Sequence, residues 1–260
     1  MRYVLLFFAL LASCADPQPA PPSSPSRSTV SGTGAEADTT ARGILAAAIA
    51  HHGGERYRDA VVEFDFRDRH FTLTLNGSQY RYERTYTNEA GQSVREWFDG
   101  AETVRLVDGD PVQLTADEGL SLTGTLNSVA YFALLPHSLL GPAVKHRYLT
   151  ETSIGGEPYH EIEVTFQQEG GGRDWQDRFV YWIHARRRTM DYLAYRFYVD
   201  GGGTRFRVAT NPRVINGLRL QDYHNLTAPE PVDIADYETL YEAGQVESFS
   251  DILLEDVRVR

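Results

Sequence analysis

Between residues 60 and 109 the apolar positions recur every second residue. Val62, Phe64 and Phe66 alternate with Glu63, Asp65 and Arg67, and Phe71, Leu73 and Leu75 alternate with Thr72 and Thr74. Successive side chains of an extended backbone point to opposite faces, so the pattern predicts strands with one buried and one wet face. Asn76-Gly77 supplies a tight hairpin turn. Beyond it Tyr80 and Tyr82 keep the alternation, a strand over 94–98 stops at Asp99-Gly100, and one over 103–107 stops at Asp108-Gly109. The segment reads as an antiparallel meander.

Two stretches change the period. Over 38–54, Ala41, Leu45, Ala48, Ile49 and His52 share one helical face. Asp38, Thr39 and Thr40 offer N-caps there, and Gly53-Gly54 a stop. Thr115-Ala116-Asp117-Glu118 fits a capping box. It opens a helical interlude carrying Leu120, Leu122, Val129, Phe132, Leu134 and Leu135, broken at Pro136 and Gly141-Pro142.

Strands then resume. Ile162, Val164 and Phe166 alternate with Glu161, Glu163 and Thr165, whereas 179–183 (Phe179, Val180, Tyr181, Trp182, Ile183) is apolar on both faces. A turn at Arg186-Arg187-Arg188 leads to Leu193, Tyr195 and Phe197, glycines 201–203 turn the chain into 205–208, and closing strands are expected over 218–223 and 252–259. The expected fold is therefore mainly β with two helical segments and about ten to twelve strands. An open sheet of that size curls or splits. A large curved antiparallel sheet, a half-barrel with helices on its concave face, covers the two-sided apolar strand.

The N-terminus gives an address. One Arg precedes the short apolar run of residues 4–11, the layout of a secretory signal too short to span a bilayer. Leu11-Ala12-Ser13-Cys14 resembles the bacterial lipobox, and that resemblance implies cleavage after Ser13 and lipidation of Cys14. Cys14 is the sole cysteine, so no intramolecular disulfide competes for it. The tract that follows is rich in Pro, Ser, Thr, Gly and Ala, a composition suited to a tether. The expected organisation is a signal peptide over 1–13, a lipidated flexible tether over 14–37 and a single β-rich domain over 38–260. Residue Ala15 after the cysteine, where an Asp implies inner-membrane retention in some Gram-negative bacteria, leans toward the outer membrane.

Charge and chemistry then narrow the function. A net charge of −11, with the Arg triplet as the only basic cluster, argues against nucleic acid as a partner. No second cysteine, HxH or HExxH spacing supports a metal site, and no GxSxG elbow supports a nucleophilic serine. No cofactor is expected. His51-His52 suits the end of a helix. Glu169, Asp174 and Asp177 suit a polar hairpin loop, although oxygen ligands for calcium are the alternative there. The isolated His137 and His160 read as structural. The 15 Tyr and 12 Phe, concentrated in the helical interlude and the central strands, fit either a filled core or an apolar cavity with polar handles.

Two resemblances bear on that choice. The segment from Phe179 to His184, with Thr189 and Leu193, looks like the hairpin of LolA-type and LppX-type lipoprotein carriers, with His184 where the carriers have Asp. Residues 45–227 resemble a family of bacterial lipoproteins of unknown function. The matching stretches are His51-His52-Gly53-Gly54, residues 131–136, residues 165–172, Tyr192-Leu193-Ala194-Tyr195 and Arg205-Phe206-Arg207. The carrier resemblance implies a half-open barrel with a hydrophobic cavity and no catalysis. The leading expectation is a lipid-anchored protein that binds an apolar small molecule or acyl chain, with Phe132, Leu135, Tyr181, Trp182 and Tyr195 lining the cavity. The alternatives are an enzyme using His51, His52 and the acids near Asp174, or a structural lipoprotein that offers a sheet edge to a partner.

Overall fold

The computed structural model describes residues 34–169, 175–198 and 201–260. The expected signal segment, Cys14, the tether up to residue 33, the glycines 170–172 and Asp174 lie outside the described residues.

Among the described residues three α-helices, α1 (Gly34–His52), α2 (Ala116–Leu134) and α3 (Tyr237–Glu242), accompany fourteen strands. The first block is β1 (Val61–Phe66), β2 (Arg69–Asn76), β3 (Gln79–Thr87), β4 (Ser93–Phe98), β5 (Thr103–Val107) and β6 (Asp110–Val112). The second is β7 (Val144–Ile154), β8 (Glu157–Phe166), β9 (Arg178–His184), β10 (Met190–Phe197), β11 (Gly203–Ile215), β12 (Leu218–Thr227) and β13 (Glu247–Ile252); β14 (Glu255–Val259) closes the chain. They form two seven-stranded sheets, ordered β14-β1-β2-β3-β4-β5-β6 and β13-β12-β11-β10-β9-β8-β7. Neither closes into a barrel. The expected class, mainly β and half-barrel-like with helices inside, is what the chain adopts, with the strands shared between two sheets.

Two links tie the sheets together. The polypeptide crosses from β6 to β7 through α2, and from β13 to β14, which returns to pair with β1 through Val62 and Val259. The inner faces meet in one core. In the first sheet the register sets Val62, Leu73, Tyr82 and Phe98 in a cross-strand row. In the second, Ile162, Tyr181, Leu193 and Arg207 form another. Apart from Arg207, these side chains pack with the buried stripes of both helices.

On α1 that stripe is Ala41, Leu45, Ala48 and His52, all fully buried and spaced as one helical face. On α2 it is Leu122, Leu126, Val129, Ala130 and Ala133. Thr115 caps α2, accepting from the Glu118 amide while the Glu118 carboxylate takes the Thr115 N–H, as the capping box predicts. After α1 the chain turns at Gly53, where φ is 152° and a Cβ would lie 2.5 Å from Leu218 Cδ2 on β12. A side chain there would have to displace Leu218, and the positive φ itself favours glycine.

The second sheet is buried on its outer face too. Val180, Trp182, Ala194 and Phe206 form a second cluster with Ile234, Ala235 and Tyr237 from the segment around α3. The Tyr237 ring stacks on Phe206 at 5.5 Å and 3°. The need for cover on both faces of 179–183 is thus met by α1 and α2 inside and by the 228–242 segment outside.

Candidate functional site

At the Arg178 end of β9 the inner face carries a run of aromatic rings that the helices cover only in part. Phe166 on β8, Phe179 on β9, and Tyr195 and Phe197 on β10 are each half-buried. Phe166 meets Phe179 edge-on at 5.8 Å, Phe179 stacks on Tyr195 at 5.5 Å, and Tyr195 lies 6.0 Å from Phe197. Tyr131 of α2 borders the strip, 5.6 Å from Phe179 and 6.4 Å from Phe166. Such rings are in van der Waals contact, so the strip is a continuous apolar surface. Phe249 on β13, 56 % exposed, extends it across the sheet.

Two arginines stand in this surface. Arg205 lies beside Tyr195 in the register, its guanidinium 3.9 Å from the Phe249 ring centre and 5.4 Å from that of Phe197. Arg207 sits one step deeper, paired with Leu193 on one side and Asn225 on the other. Its guanidinium carbon is 5.4 Å from the ring of Phe132, 4.9 Å from Tyr195 and 5.9 Å from Tyr223. One terminal nitrogen donates to the Tyr195 hydroxyl at 2.9 Å, while Nε is buried without a hydrogen-bond partner. The neighbouring Asn225 leaves its side-chain oxygen equally orphaned. Among the described residues no carboxylate forms an ion pair with either arginine.

The cavity residues expected from the sequence divide between the two faces. Phe132, Leu135 and Tyr181 are buried in the inner core, and Tyr195 packs against it at the exposed strip. Tyr181 is anchored by a 2.7 Å hydrogen bond between its hydroxyl and that of Tyr131. Burial pushes the Tyr181 phenol well above its ordinary value. Trp182 is corrected: it belongs to the outer cluster, 5.6 Å edge-on to Phe206, because the residue after an inward Tyr181 must point outward. It cannot line one cavity with Tyr181.

The histidines do not converge with the acids. His51 is exposed, whereas His52 is buried and its Nε2 accepts the Met190 N–H at 3.2 Å. Burial, with the positive charge of Arg219 next, lowers His52 to about 3, so it stays neutral. Asp177 precedes β9 while Met190 pairs with Ile183 at the strand's far end, about 20 Å away at a strand's rise per residue. Glu169 is exposed. Among the described residues no three His, Cys, Asp or Glu side chains group as metal ligands. His137 stacks on Tyr57 at 4.5 Å. His184 Nδ1 accepts the amides of Arg186 and Arg187 at 3.1 and 3.0 Å, holding the turn as a carboxylate would.

Two open cavities have polar walls. A groove of about 670 Å³ lies at the Arg turn, lined by His51, Arg186, Arg187, Thr189, Asp191 and Arg219. Arg186 and Arg187 are there tied to Glu157 and Asp191. A second, of about 500 Å³, lies among Asp65, Arg67, Arg69, His70 and Glu255. Neither touches the aromatic strip. The space between the sheets is occupied by α1 and α2. Among the described residues no helix is long and apolar enough to cross a membrane.

The model of a family of unknown function, DUF6503, matches residues 33–252, extending in both directions the stretch read as a family resemblance in the sequence. No curated protein matches the chain. Among solved structures, an outer membrane lipoprotein-sorting protein domain from Vibrio parahaemolyticus is similar at 9 % identity, covering 86 % of this chain and 93 % of that one, with a TM-score of 0.44. A DUF1329 family protein from Desulfovibrio piger gives 9 % identity, 84 % and 92 % coverage and 0.44. The lipoprotein LppX of Mycobacterium tuberculosis gives 12 % identity, 74 % and 98 % coverage and 0.28.

Proposed function

This chain belongs to the family of unknown function DUF6503, and we propose that it is a lipid-anchored binding protein of the bacterial cell envelope that holds an apolar or amphipathic ligand without transforming it. In this reading residues 1–13 direct export, Cys14 carries the lipid, the following tract is the tether, and 38–260 fold as one domain. The protein then stands at a membrane surface, with the outer membrane favoured by Ala15. Several acyl chains on Cys14, at about 0.8 kcal/mol per buried methylene, make the anchoring durable.

The observation that supports the ligand is the strip of Phe166, Phe179, Tyr195 and Phe197, half-buried on an otherwise packed inner face. Monomeric proteins rarely leave linked aromatic rings beside water without a use for them. An acyl chain laid on the strip removes apolar area from water at about 25 cal/mol per Å². Phe132, Leu135 and Tyr181 shape the site from behind, and Tyr131 forms its border.

The test is titration of the purified protein with the neutral dye N-phenyl-1-naphthylamine. Saturable fluorescence enhancement that weakens in Phe179→Ala and Tyr195→Ala, with the variants still folded by circular dichroism, is the expected result. Dye binding that does not saturate, or that ignores both substitutions, overturns the reading.

A further inference from the structure

The inner face of β11 carries arginines where the neighbouring β8, β9 and β10 carry apolar residues. Arg205 and Arg207 alternate with Phe206 and Val208, and the two arginines, not the apolar pair, face inward. A guanidinium withdrawn from water loses several kcal/mol of hydration unless a counter-charge replaces it. Arg207 has three ring faces and the Tyr195 hydroxyl. Cation–π contacts return about 0.5–2 kcal/mol and leave the positive charge uncancelled. Several half-buried arginines are paired with carboxylates, Arg84 and Arg105 with Glu96, Arg178 with Glu163 and Arg213 with Asp222, whereas Arg69, Arg207 and Arg219 each keep a buried Nε without a partner. Of these three, Arg207 is the one set against the aromatic strip, through Tyr195.

We propose that Arg207, with Arg205 above it, is the anchor for the anionic head of an amphiphile whose alkyl tail lies along Phe179, Tyr195 and Phe166. The inference rests on the ligand-binding reading above and specifies its ligand as an acyl carboxylate or alkyl phosphate. Arg205 and Arg207 are two residues apart on one strand face, about 7 Å between Cα atoms, so both guanidinium charges stand at the same end of the strip. The Nε of Arg207 has no partner within the protein, and no carboxylate offsets the charge of either guanidinium among the described residues. The surrounding charge makes the choice selective. On a chain of net charge −11, anions are repelled in general, so a pair of uncancelled cations marks one place where an anion is held.

The experiment is calorimetric titration of the purified protein with dodecanoate, dodecyl phosphate and dodecanol below their aggregation concentrations. At least one anion should bind ten or more times tighter than the alcohol, and which one it is separates a carboxylate ligand from a phosphate one. Arg207→Met should bring the anions to the level of dodecanol and leave the alcohol within twofold, while Arg207→Lys should keep part of the preference. If dodecanol binds as tightly as both anions, the inference falls and the apolar site stands. If none of the three binds, both fall. The wild-type comparison decides the matter even where Arg207→Met does not fold.

Discussion

The hydroxyls of Tyr131 and Tyr181 lie 2.7 Å apart, joining the end of α2 to the middle of β9. Tyr181 is fully buried, and its neighbour Phe179 is half-exposed on the same face of the strand. The bond therefore marks the line where the packed interior stops and the aromatic strip begins. Tyr131→Phe leaves the Tyr181 hydroxyl buried and unpartnered, at a cost of about 1–3 kcal/mol. Urea denaturation of both single Phe variants and the double variant should show the double losing less than the sum of the singles. Strict additivity would mean that the two hydroxyls do not support each other.

His52 makes stability depend on pH. Its folded value, about 3, lies below the ordinary 6.5 because burial disfavours the cation. The unfolded chain takes up the proton first, so the contribution is complete above pH 6.5 and is lost as pH falls from 6.5 toward 3. The expected slope is about 1.4 kcal/mol per pH unit across the fully titrating part of that window. His52→Gln, which keeps an acceptor for the Met190 N–H, should flatten the curve between pH 6 and 4 in chemical denaturation. An unchanged slope would assign the acid sensitivity to another group.

Glu96 is the one fully buried residue of an Arg84–Glu96–Arg105 rung across β3, β4 and β5, with both nitrogen–oxygen distances at 2.5 Å. Glu96→Gln removes the only negative charge between two guanidiniums. The loss should be about 3 kcal/mol, near the low end for a broken buried pair because Arg105 retains some water. A change below 1 kcal/mol by urea denaturation would show that solvent already screens the rung.

Trp182 provides a negative control for ligand binding. It lies on the outer face against Phe206. Trp182→Phe should cost about 1–3 kcal/mol of stability, through overlarge space left around the smaller ring. It should leave the affinity for N-phenyl-1-naphthylamine within twofold of wild type. A tenfold loss of affinity in a folded variant would move the ligand to the outer cluster.

The meander, the hairpin at Asn76-Gly77, α1 and the capping box of α2 were legible because each rests on local spacing. β7 escaped notice: it is a sheet edge, its buried position 146 is a histidine rather than an apolar residue, and a register shift between Tyr148 and Thr150 breaks the period. The short α3 was also missed, since six residues carry too little helical period to stand out. The misassignment of Trp182 has one cause and so does the neglect of Arg207. When both faces of a sheet are covered, apolar character no longer says which face points inward, and 179–183 and 205–208 can be oriented only by their neighbours. The Arg205-Phe206-Arg207 alternation was visible, but it reads as arginines in water unless the outer cover by Tyr237 is known.

The central claim is that an amphipathic ligand lies on the inner aromatic strip. Photolabelling the protein with a diazirine-bearing fatty acid, followed by peptide mapping, tests it most directly. Adducts are expected on β8–β11 at Phe166, Phe179, Tyr195 and their strand neighbours, displaced by excess dodecanoate. Adducts confined to the Arg186–Arg188 turn or to the outer cluster around Trp182, with the strip unlabelled, would contradict it.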